Sequence, residues 1–123
     1  MSLSLLLRLN AVFLVLWAIG LIFSPGTMFD MFEWTPSLEL VALGQGLGVA
    51  STGLAIVSWM LPSWMSEEQL KKAAIWFAVI ASLFLLLQLY QILISNMSPG
   101  KAFDWGSTVI TALFAIGFYM KSR

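Results

Sequence analysis

Gly44-Gln45-Gly46-Leu47-Gly48-Val49-Ala50-Ser51-Thr52-Gly53 lies in the middle of a long apolar run. Glycine at this density weakens a helix in water. In lipid it does the reverse, because small side chains let helix backbones approach closely. At helical spacing Gly44, Gly48 and Thr52 form one ridge of small residues, and Ala42, Gly46 and Ala50 form the adjacent one. The stretch therefore predicts a membrane-spanning helix around which others pack, with Gly44, Gly46, Gly48 and Thr52 as its contact residues.

The composition agrees with a lipid solvent. Of 123 residues 60% are hydrophobic and 10% charged, whereas about a quarter of a soluble domain is charged. The formal net charge is zero and there is no basic run, so nothing attracts nucleic acid. Cysteine and histidine are absent, which removes disulfides, thiol nucleophiles, Cys/His zinc sites and histidine-dependent triads. No catalytic or metal-ligating set is expected.

Around the glycine stretch the chain reads as a single transmembrane domain over residues 1–123, all-α, an integral membrane four-helix bundle. Its spans are expected at about 3–23, 38–61, 70–95 and 103–120, each near the roughly 20 residues needed to cross a bilayer. The first run is too long and unbroken for a typical signal peptide and is read as retained. Arg8 lies about 7 Å inside it, a depth from which an arginine snorkels back to the interface. Pro25-Gly26 stops that helix, and Thr27 to Trp34 reads as a short interfacial segment. Thr35 is expected to cap the second span with Pro36 in its first turn, and Pro62 to end it. Ser66-Glu67-Glu68-Gln69 matches a capping box, flanked by Met65 and Leu70 as the hydrophobic staple.

Positive charge orients the spans. With four crossings, Arg8, Lys71, Lys72, Lys121 and Arg123 share one side, against Lys101 on the other, which places both termini in the cytoplasm. Trp59, Trp64 and Trp76 then fall near the cytoplasmic interface and Trp34 and Trp105 near the outer one. Ser24-Pro25-Gly26-Thr27-Met28-Phe29-Asp30 echoes Ser98-Pro99-Gly100-Lys101-Ala102-Phe103-Asp104. Either two duplicated helical hairpins or convergent turn chemistry would produce that echo.

The acids all lie in loops or at helix ends, away from the depth where proton relays are built. Polar residues instead share a band in the outer half. Gln45, Gln88, Gln91, Ser107, Thr108 and Thr111 stand about 6 to 12 Å from the outer helix ends. One reading makes them a pocket for the head of a lipid-like molecule such as a quinone. The other makes them interhelical glue, the commoner fate of buried amides and hydroxyls. Met28, Met31 and Met97 have the softness of cuprous-copper ligands, but among Phe29 and Phe32 they serve equally as interfacial hydrophobes.

Leu7-Arg8-Leu9-Asn10 opening the first span, Ser24-Pro25 ending it, and a second span with Gly44, Gly48 and Gly53 together resemble small four-helix bacterial membrane proteins of unknown function that are distantly DoxX-like. The resemblance covers most of the chain and implies a compact inner-membrane bundle. It contributes no site residue.

The glycine ridge and the missing reactive side chains together point to a non-catalytic membrane protein that works through helix contacts. It would act as a homo-oligomer or as an accessory subunit of a larger membrane complex. The alternative is a binder of a lipid, quinone or pigment at the outer cluster. A lipid-modifying enzyme using Glu39, Asp30 or Asp104 comes third. No cofactor is expected beyond such a bound lipid or quinone.

Overall fold

The computed structural model describes residues 2–94 and 102–123, and among them the chain is all-α. It comprises α1 (Leu3–Phe23), α2 (Pro25–Met31), α3 (Leu38–Trp64), α4 (Glu67–Leu93) and α5 (Ala102–Lys121). The helices α1, α3, α4 and α5 are each long and apolar enough to cross a membrane, yet only 17–28% of each apolar window is buried. A helix apolar on all sides and covered on so few needs an apolar surrounding. The chain is accordingly a multi-pass membrane protein.

The helix ends follow local chemistry, with corrections to the sequence reading. Ser66 closes a complete capping box with Gln69: its Oγ accepts from Gln69 N at 3.3 Å, and its own N donates to Gln69 Oε1 at 3.0 Å. Helix α4 therefore begins at Glu67, and its charged first turn is helical well before the apolar part. Neither Thr35 nor Pro36 starts α3. Ser37 does so, its Oγ accepting from Leu40 N at 3.1 Å and its carbonyl from Val41 N at 2.9 Å. Nor does Pro62 end α3, which runs on to Trp64. A proline this close to a C-terminus removes one ladder bond where few remain, and Ser63 Oγ donates to Met60 O at 2.7 Å across the same turn. At the other end of its hairpin α4 stops at Leu93, with Ile94 as its cap.

The chain forms two compact units, Leu7–Ser63 and Met1–Leu6 with Trp64–Arg123. In the first unit α1 and α3 run antiparallel. Gly44 and Gly48 are buried, together with Ala11 and Ala18 of α1. A methyl group built on Gly48 would stand 2.7 Å from Ile22 Cγ1 and 3.2 Å from the carbonyl oxygen of Ala18. On Gly44 it would stand 2.8 Å from Phe29 Cζ. Helix α2 thus folds back over the glycine face of α3, and Met28 Sδ covers Gly20 in the same way, 2.6 Å from where a methyl would be.

Helix α2 ends in a Schellman arrangement. Trp34 N donates to Phe29 O at 2.9 Å and Glu33 N to Asp30 O at 3.0 Å, with Glu33 at φ 58°. The turn stacks Trp34 on Phe29 and Phe32, and Phe32 on Trp17, at centroid distances of 6.1, 5.1 and 5.9 Å.

In the second unit α4 and α5 pack as an antiparallel hairpin. Its core joins Leu70, Ala74, Phe77 and Ala78 of α4 to Thr108, Thr111, Ala115 and Phe118 of α5. Phe77 and Phe118 meet at 5.3 Å. The first turn of α1 belongs here, with Leu6 lying over Gly117. Of the echoed turn sequences, residues 98–101 lie outside the described residues, as does Met97.

Two expectations test this packing. Gly48→Ala should lower stability by about 1–3 kcal/mol because a backbone oxygen cannot yield. Gly46→Ala, with nothing within 4 Å, should be neutral or stabilising by up to about 1 kcal/mol. Denaturation of detergent-solubilised protein measures both. At the α2 turn, Glu33→Gly should be tolerated, whereas Glu33→Val should cost more than about 1 kcal/mol, since a branched side chain resists positive φ.

Candidate functional site

Helix packing sorts the predicted polar residues into different places. Gln45 belongs to the unit Leu7–Ser63, where its Nε2 donates to Ile22 O at 3.2 Å and ties α3 to the end of α1. Thr52 donates to Gly48 O of its own helix at 2.9 Å. Gly44 and Gly48 face α1 and α2, while Gly46 is exposed. Gln88, Gln91, Ser107, Thr108 and Thr111 belong to the α4–α5 hairpin.

The hairpin register follows from the Phe77–Phe118 contact. Gln88 on α4 and Ser107 on α5 are each about 16 Å along their helices from that pair, and Gln91 and Asp104 are each about 21 Å. These four residues thus form two successive polar levels. The threonines do not open toward a ligand: Thr108 Oγ1 donates to Asp104 O at 2.8 Å and Thr111 Oγ1 to Ser107 O at 2.9 Å. Such back-bonding satisfies a hydroxyl within its own helix. Gln88 Oε1, by contrast, is buried and accepts no hydrogen bond among the described residues.

Asp104 lies at a helix end, as read from the sequence, but it is turned into the hairpin rather than left at its surface. It is 4% exposed and heads the buried stripe Asp104, Thr108, Thr111, Ala115, Phe118. The alternating three- and four-residue spacing of that stripe was the signal available in the sequence. Its place in the first turn of α5 suits a carboxylate, because the helix dipole is positive there.

A second polar group, which the sequence did not single out, lies at the opposite end of the α1–α3 pair from Gln45. Ser58 is fully buried. Its Oγ donates to Leu7 O at 2.6 Å and accepts from Asn10 Nδ2 at 3.3 Å. At the next residue of each helix, the Arg8 guanidinium lies 5.2 Å from the centroid of the Trp59 ring, within range of a cation–π contact. Ser58 continues the stripe of Gly44, Gly48 and Ala55, which would have marked it as inward-facing.

No protein-family model, no curated protein and no solved structure matches this chain.

The two amide and hydroxyl arrangements should respond oppositely to substitution. Ser58→Ala removes an interhelical bond and should lower stability by about 0.6–2 kcal/mol. Gln88→Leu relieves a buried acceptor and should leave stability unchanged or raise it by about 1 kcal/mol. Thermal unfolding of both variants in one detergent gives the comparison.

Proposed function

We propose that this chain is a non-catalytic multi-pass membrane protein that works by helix-to-helix contact, pairing α3 with α3 of a second copy. The observation that carries this reading is the small-residue ridge left uncovered on α3. Ala42, Gly46, Ala50 and Gly53 are all exposed, and methyl groups built on Gly46 and Gly53 would meet nothing within 4 Å. Glycines facing outward on a helix lower its intrinsic stability. They are useful there if another backbone comes close. The other ridge of the same helix supports the reading, since Gly44 and Gly48 accept α1 and α2 at that range within the chain.

In lipid, the drive for such pairing is van der Waals packing between backbones, because the surrounding acyl chains are as apolar as the helix. We place the chain in the inner membrane with both termini cytoplasmic. Arg8, Lys71, Lys72, Lys121 and Arg123 on one side support that orientation.

The chain has no cysteine, so introduced cysteines report contacts without background. In membranes treated with a mild oxidant, Gly46→Cys and Gly53→Cys should give a disulfide-linked dimer of the chain, and Leu86→Cys on α4 should not. Equal dimer yield at all three positions, or none at Gly46 and Gly53, overturns the proposal.

A further inference from the structure

Alongside the exposed ridge, α1 and α3 enclose a groove of about 410 Å³, within the range of small-ligand sites. Val12, Val15 and Leu16 form one wall, and Ile56, Trp59 and Met60 the other. Thr52 also lines it, but its hydroxyl is spent on Gly48 O. The walls are therefore apolar along a length of about 12 Å, the helical rise from Thr52 to Met60.

One end of the groove carries a charge. Trp59, which lines it, supports the Arg8 guanidinium on its face. A cation–π contact of this kind engages the guanidinium through its charge, and the planar group carries five N–H donors. Among the described residues Arg8 makes no hydrogen bond or ion pair, so those donors remain available. Arg8 is also about 7 Å from the start of α1, near the depth at which lipid headgroups and interfacial tryptophans lie.

From these observations we infer that the α1–α3 groove is a binding site for an anionic phospholipid, with one acyl chain between the helices and the phosphate held by Arg8 over Trp59. Charge and shape have separate tasks. An acyl chain that leaves the bilayer for this groove exchanges one apolar surrounding for another, so the walls confer fit but little preference among lipids. Preference comes from net charge. The guanidinium's paired donors match the phosphate oxygens of any phospholipid. In a zwitterionic headgroup, however, the choline cation offsets the phosphate and repels Arg8, whereas an anionic headgroup leaves the charge uncompensated. The groove extends from Arg8 toward the middle of α1, as a tail following its headgroup must.

The test uses the full chain in nanodiscs containing equal amounts of phosphatidylglycerol and phosphatidylcholine with identical acyl chains, followed by release into mild detergent and native mass spectrometry. Wild-type protein should retain phosphatidylglycerol about tenfold over phosphatidylcholine, the discrimination expected when one charge-assisted contact meets an anionic rather than a zwitterionic headgroup. Arg8→Gln should bring the ratio close to one, and Arg8→Lys should keep part of the preference. Ile56→Trp, which fills the groove at an exposed position without altering charge, should reduce retention of both lipids. Lys121→Gln, which removes a cation from α5 and leaves every groove residue in place, should behave as wild type. Equal retention of the two lipids by wild type, or a preference that survives Arg8→Gln, overturns the inference. So does unchanged retention in Ile56→Trp.

Discussion

The closeness of α3 to α1 at Gly48 governs the arrangement of residues 7–63. With Ile22 Cγ1 and the Ala18 carbonyl pressed to within 2.7 and 3.2 Å of a notional methyl, no larger residue fits without moving a backbone. That single approach sets the spacing along both helices. Toward one end it brings Gln45 to the Ile22 carbonyl, and toward the other it brings Ser58 to Leu7 and Trp59 beneath Arg8. Where the facing residues are larger and turn outward, as at Leu16 and Ile56, the same two helices leave a groove. Close contact and open groove are consequences of one pairing.

The α4–α5 hairpin reaches a comparable end by different means. It has no glycine seam between its two long helices, and its core runs from aromatic contact at Phe77 and Phe118 to hydroxyls and a carboxylate at Thr108 and Asp104. The threonine hydroxyls near the far end are handled within α5 by back-bonding to the preceding turn. In a solvent that offers no hydrogen bonds, such local satisfaction allows small polar residues to line a helix contact at little cost.

Much of this was legible in the residues themselves. The apolar runs revealed four membrane-length helices, Ser66 with Gln69 marked the start of α4, and Gly44 with Gly48 marked a face made for close packing. Other features depended on context that spacing does not carry. Ser37 is the cap of α3, although Thr35-Pro36 has the stronger local signature, and Pro62 is accommodated because it falls in the last turns of its helix. The outer polar band combined residues at similar depth without regard to direction. Depth is a one-dimensional coordinate, and it could not reveal that Gln45 reaches for Ile22 or that the threonines bond inward. The Arg8–Trp59 cation–π contact joins residues far apart in the chain, so only the antiparallel pairing of α1 and α3 brings it into view.

The graded stripe on α5 also bears on motion. Interlocked rings at Phe118 resist separation far more than methyl-sized neighbours near Thr108, so the hairpin is unevenly fastened along its length. Transient fraying would then begin at the Asp104 end and die out before the aromatic pair. Backbone amides there would take up deuterium soonest, and the chain would breathe from one end while the other stayed latched.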